Sequence, residues 1–77
     1  MPPNQLFKTF GQVLREQRAK CEISQEALAL TANVDRTFVS QIERGLRQPS
    51  LATLWKLAGA LEVSPSALIV RTEKLMR

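Results

Sequence analysis

The sequence predicts an all-α fold of five helices. Apolar residues recur at helical spacing along most of the 77 residues. A short oxygen-bearing side chain or a proline stands before each of these runs, where a helix start needs one. No stretch alternates apolar and polar residues for long enough to form a strand.

Leu6, Phe10, Val13, Leu14 and Gln17 keep a helical period between the prolines at positions 2 and 3 and the polar stretch near Lys20. The first helix is expected over Asn4 to Lys20, with Leu6, Phe10, Val13 and Leu14 as its apolar face. Ser24 before Gln25 and Glu26 caps a short second helix that reaches Ala32. Asn33 tolerates left-handed backbone, so a sharp turn is expected there. Asp35 caps a third helix, which runs to Glu43 or Arg44 and is ended by Gly45. Pro49 and Ser50 break the chain before a fourth helix with Leu51, Leu54, Leu57, Ala58 and Leu61. Ser64 and Pro65 open the fifth, since proline suits the first helical position.

Residues 1–77 read as one domain, with no repeat, low-complexity run or linker. A net charge of +4 is a mild excess that favours a polyanionic partner but identifies none, because the basic residues are spread along the chain. A single cysteine, Cys21, excludes an internal disulfide and fits a reducing, cytoplasmic setting. No secretion signal is seen, and no apolar run approaches the roughly 20 residues that span a bilayer. Without histidine, a glycine-rich phosphate loop or a paired carboxylate motif, the sequence points away from an enzyme and implies no metal, cofactor or small-molecule ligand. A protein-interaction module, such as an antitoxin or adaptor, is the competing class, since small helical domains also bind partner helices.

The most informative unit runs from about Ser24 to Gly45, where two short helices joined by Asn33 and Val34 must cross steeply. Ala29 lies where they approach, and Leu28, Val34, Val39 and Ile42 have the spacing to face the core. With Val39 and Ile42 turned inward, the outer face of helix three displays Arg36, Thr37, Ser40, Gln41 and Arg44. Taken alone, such a face is most simply a solvated one. These groups also match base edges: arginine pairs with guanine, glutamine with adenine, and threonine offers a hydroxyl and a methyl.

Leu14-Arg15 with Arg18, Ser24-Gln25-Glu26-Ala27-Leu28-Ala29, Ile42-Glu43-Arg44-Gly45, Pro49-Ser50-Leu51-Ala52-Thr53-Leu54 and the run Leu57 to Ser64 together resemble the helix-turn-helix family of phage repressors and Cro proteins, over roughly residues 7 to 70. The resemblance implies a compact five-helix bundle of the lambda-repressor-like type that regulates transcription by binding specific double-stranded DNA. It implies that Gln25 fixes a phosphate, that Arg36, Thr37 and Gln41 meet bases, and that Ser40 and Arg44 lie nearer the backbone. Arg47 and Gln48 would clamp the same strand, and Arg18 with Glu43 would form a partly buried ion pair between helices one and three. Phe38 either packs against helix two or touches a thymine methyl or sugar. The run Asp35-Arg36-Thr37-Phe38-Val39-Ser40 resembles more narrowly the small controller proteins of restriction-modification operons. Asn33 and Cys21-Glu22 depart from the glycines usual in this pattern, so the loop before helix two can differ locally.

One reading helix covers only a few base pairs, so a homodimer on a palindromic or pseudo-palindromic operator is expected. The fifth helix, at about 65–75, supplies candidate dimer residues Leu68, Ile69, Leu75 and Met76. Leu68 and Ile69 can equally complete the monomer core, and the tail carrying Leu75 and Met76 can equally fray.

Overall fold

Four of the five helices begin where a side-chain oxygen closes the first turn. In the computed structural model, which describes residues 3–77, the elements are α1 (Pro3–Lys20), α2 (Gln25–Ala32), α3 (Arg36–Glu43), α4 (Leu51–Ala60) and α5 (Pro65–Leu75). Ser24 Oγ accepts from the Ala27 amide, Asp35 Oδ1 from Thr37, Ser50 Oγ from Thr53 and Ser64 Oγ from Ala67, at 2.8 to 3.1 Å. Each cap satisfies an amide for which the helix has no carbonyl, a contribution of about 1 kcal/mol. α1 starts at Pro3, one residue earlier than its apolar period indicates, because proline is suited to the first turn of a helix. No strand occurs among the described residues.

The helix exits share one geometry. Glu22, Asn33, Gly45 and Glu62 adopt φ of 56°, 57°, 76° and 59°, ending α1 to α4 in turn. After each, the next residue donates its amide to the carbonyl five residues back: Ile23 to Arg18, Val34 to Ala29, Leu46 to Gln41 and Val63 to Ala58. This double-bonded exit satisfies the last carbonyls of a helix and reverses the chain within two residues. Ile23, Val34 and Val63 then pack against the core and anchor three of the four turns. The loop at Cys21 and Glu22 thus keeps the backbone path that glycine usually supplies.

α1 packs on α3 and α5, α2 on α3 and α4, and α4 on α5. Val13 and Leu14 from α1, Leu28 from α2, Val39 and Ile42 from α3, Leu57 from α4, Leu61 after it and Leu68 from α5 are all fully buried. Leu68 therefore closes the monomer core and has no surface to offer a second copy, which corrects its assignment to a dimer face. Leu6 is half-buried, and Leu51, in phase with the α4 core residues, is 71% exposed.

Two contacts set how closely the helices approach. Ala29 and Ala32 are buried on α2, where small side chains admit the neighbouring helices. Gly11 in α1 lies against the end of α3, and a Cβ there would stand 2.4 Å from the Ile42 carbonyl oxygen. On the other side of α1, Gln17 Oε1 accepts from Arg71 of α5 at 2.8 Å and Gln17 Nε2 donates to the Leu61 carbonyl at 3.5 Å. Cys21 Sγ donates to the same carbonyl at 3.4 Å, so its thiol serves as a local tie between α1 and the end of α4.

Candidate nucleic-acid interface

The capped start of α2 and the outer face of α3 form one side of the molecule. Ser24 takes the Ala27 amide, while the amides of Gln25 and Glu26 have no carbonyl within the helix to bond. Asn33 turns the chain, Asp35 caps α3, and Val39, Ile42 and Glu43 fix the inward side of that helix. Arg36, Thr37 and Arg44 are consequently exposed, with Ser40 and Gln41 half-buried beside them.

The segment after α3 folds back along this face. Gly45 carries φ of 76° and lies tight against α1, where a Cβ would be 2.8 Å from Lys8 Cγ. The chain then brings the Arg47 guanidinium over the Phe38 ring at 5.1 Å from its centroid, a cation–π distance. Phe38 is half-buried, packed on the core on one side and open to the face on the other. Asp35, Thr37, Phe38, Gln41 and Arg47 enclose an open depression of about 490 Å³. Gln48, half-buried, donates to the Arg47 carbonyl at 3.3 Å and lines not this depression but the cavity bounded by α1, α4 and α5.

Three arginines on this side form no ion pair with another described residue. Among the described residues, Arg36, Arg44 and Arg47 have no carboxylate within 4.0 Å, whereas Arg18, Arg71 and Arg77 are paired. Guanidiniums without acidic partners attract an anion and present planar donors to it.

Behind the face lies a buried charge cluster. Arg18 Nε donates to Glu43 Oε2 at 2.7 Å and Arg18 Nη2 to Glu43 Oε1 at 2.9 Å, with the Glu43 side chain 2% exposed. Arg18 Nη1 also donates to the Ile23 carbonyl at 3.0 Å, which ties the loop before α2 to α1. The hydrogen bonds to Glu43 raise the Arg18 pKa above the ordinary value, against an opposing effect of burial. Gln25 Nε2 donates to Glu43 Oε1 at 3.0 Å, a bond that joins the first residue of α2 to the last of α3. Sequence reasoning treated Gln25 and Glu43 separately; their link depends on the crossing of two helices and has no spacing signature.

The remaining candidates lie elsewhere. Ile69 and Leu75 are 49% and 52% exposed on α5, and Met76 caps its end half-buried. Trp55 on α4, not singled out from the sequence, is 59% exposed and lines an apolar groove with Leu51, Ile69 and Val70. The sequence carries no sign of this, since Leu51 shares the helical period of the buried Leu54 and Ala58.

The family model for the helix-turn-helix matches residues 14–68. The chain belongs to the helix-turn-helix family. Among its relatives in this family, the control protein C.BamHI of Bacillus amyloliquefaciens is 42% identical over 67 residues, covering 86% of this chain and 83% of that one. An HTH-type transcriptional regulator of Mycobacterium tuberculosis is 43% identical over 61 residues, and the chain spans only 44% of its length. Of solved helix-turn-helix structures, the restriction-modification controller protein C.AhdI of Aeromonas hydrophila superimposes with a TM-score of 0.79 at 45% identity, covering 80% of this chain and 94% of that one. The controller protein C.Esp1396I, crystallised as a tetramer with its natural 35 base-pair operator, matches with a TM-score of 0.80 at 32% identity over 90% of this chain and 91% of that one.

Proposed function

We propose that the protein is a sequence-specific transcription regulator that binds paired half-sites of double-stranded DNA as a homodimer and controls a restriction-modification operon. The observation that carries this reading is the outer face of α3 with the segment that follows it, where Arg36, Arg44 and Arg47 form no ion pair among the described residues and stand beside Thr37, Ser40 and Gln41. Three guanidiniums gathered on one exposed side make it a surface that favours a polyanion. A DNA backbone compensates them, and the amide and hydroxyl groups between them read base edges. In this reading Arg36, Thr37 and Gln41 enter the major groove, while Gln25, Ser40, Arg44, Arg47 and Gln48 hold the flanking phosphates. Phe38 supports Arg47 from beneath.

Residues 1–77 act as one DNA-binding domain, with no catalytic step assigned to it. No helix of the described residues is long and apolar enough to cross a membrane, and the reading places the protein in the cytoplasm, with its DNA. The second copy docks on Trp55, Ile69 and Val70, with Leu75 and Met76 at the margin, since these leave an apolar surface that a monomer has no use for. Operator binding by C.Esp1396I as an oligomer supports this assembly.

Selection of bound duplexes from a random pool tests the function. Enrichment of a palindrome, with affinity falling steeply as salt rises, is the expected result. A pool that returns no enriched sequence refutes the reading. For the assembly, sedimentation should show a dimer at tens of micromolar that Ile69→Asp converts to a monomer; a wild-type monomer at that concentration refutes the docking face.

A further inference from the structure

We infer that Phe38 is a positioning residue for DNA binding: the open side of its ring holds the Arg47 guanidinium over the outer face of α3 before any duplex arrives. The inference rests on the DNA-binding reading above and deepens it.

The segment between α3 and α4 is fixed at both ends. Gly45 lies buried against Lys8 of α1, and the Leu46 amide donates to the Gln41 carbonyl at 2.9 Å, which closes the exit of α3. Ser50 caps α4 at the far end. Between them, the amides of Arg47 and Gln48 reach no backbone carbonyl among the described residues, and Pro49 has no amide hydrogen to give. The side-chain bond of Gln48 goes to the neighbouring Arg47 carbonyl and stays within the segment. From Arg47 onward, what reaches back to α3 is the Arg47 side chain, with Cζ 5.1 Å from the centroid of the Phe38 ring.

Phe38 suits that task because only one side of its ring is free. The other packs on the core, so the ring is a fixed platform, whereas Arg47 is exposed and its long side chain has many conformations. Ordering such a side chain on binding weakens association, and a platform that already restricts it removes part of that loss. The aromatic partner has a second effect. Asp35 lines the same depression as Phe38 and Arg47, yet it forms no ion pair with Arg47. A carboxylate would occupy the guanidinium donors; a ring face attracts the charge and leaves those donors for a phosphate.

The test is a double-mutant cycle on the duplex enriched from the random pool, with Phe38→Leu and Arg47→Ala made singly and together. Phe38→Leu should weaken binding by about two- to fivefold per half-site, the strength of an exposed cation–π contact. It should have almost no effect once Arg47→Ala is in place. Its salt slope should equal that of the wild type, because the Arg47 charge is retained, and Phe38→Tyr, which restores a ring, should rescue the affinity. No loss with Phe38→Leu, or a loss of equal size in both backgrounds, overturns the inference. A loss confined to duplexes with thymine at one position also overturns it, since Phe38 would then read a base. In the free protein, NMR should show the Arg47 δ protons shifted by the ring current, and Phe38→Leu should return them to ordinary values. Unshifted protons in the wild type overturn the inference while leaving the DNA reading intact. Failure of the wild-type protein to bind any duplex overturns the DNA reading itself, and the positioning role with it. Should Phe38→Leu not fold, Phe38→Met fills the same apolar space without a ring and carries the same cycle and the same outcomes.

Discussion

Gly11 and Ile42 meet backbone to backbone: a Cβ on the glycine would come within 2.4 Å of the isoleucine carbonyl oxygen and 2.7 Å of that of Glu43. α1 therefore seats the end of α3 without any side chain between them. Gly11→Ala should force α1 and α3 apart and destabilise the fold by about 1 to 3 kcal/mol, as overpacking does. Gly59→Ala is the control, because nothing lies within 4 Å of a Cβ there. It should stabilise by about 0.5 to 1 kcal/mol through the ordinary helix preference of alanine. Thermal denaturation followed by circular dichroism checks both, and opposite signs are expected.

Removal of Glu43 leaves Arg18 without its charge partner, with a side chain that is only 19% exposed. Glu43→Ala should cost about 3 to 5 kcal/mol. In a chain of this length that lowers Tm by more than about 10 °C. An unchanged melting temperature would contradict a supporting role for the pair.

Arg36 and Arg47 should separate when binding is measured across a panel of sequences and salt concentrations. Arg36→Ala is expected to relax preference at one base position, by about 1 to 3 kcal/mol for that base. Arg47→Ala should weaken all duplexes alike and reduce the salt slope by about one unit per half-site. Identical specificity profiles for the two variants would contradict this division.

Glu16 titrates below the ordinary glutamate range, chiefly because Gln12 donates to it, with Arg71 adding a hydrogen bond and a favourable charge while desolvation acts in the other direction. A lowered pKa in the folded state means that the group contributes stability above its unfolded pKa and loses it as pH falls through the folded value. Wild-type stability should therefore fall more steeply than that of Glu16→Gln as pH drops below the normal carboxylate range. The side chain is exposed, so the difference is small and best read from chemical denaturation midpoints at matched pH.

Local chemistry made most of this architecture legible. Ser24, Asp35, Ser50 and Ser64 each specify a helix start within three residues, and Asn33 and Gly45 announce their own left-handed turns. The turns at Glu22 and Glu62 were harder to read because glutamate has no such preference. Their signal is the pattern around them: Cys21-Glu22-Ile23-Ser24 and Leu61-Glu62-Val63-Ser64 both place an apolar anchor between the turn and the next cap. Gly11 gave a hint as well, since a glycine inside a helix is costly unless another backbone approaches it. Contacts between distant helices, such as Gln25 with Glu43 and Gln17 with Arg71, carry no periodicity and appear only in the folded chain. Leu68 was ambiguous because an apolar helix face fits a core and a partner equally well.

Gln17 and Arg18 are consecutive on α1 and look in different directions, one holding α5 through Arg71 and the other holding α3 through Glu43. α5, on which the proposed docking face lies, and α3, the proposed reading helix, are thus held by the same rod, about 100° apart around its axis. In the proposed pair of copies, α1 links the docking face to the reading helix with no loop in the path. On that proposal half-site spacing is set by a rigid helix, and an operator lengthened by a single base pair should be bound more weakly even when every contacted base is correct.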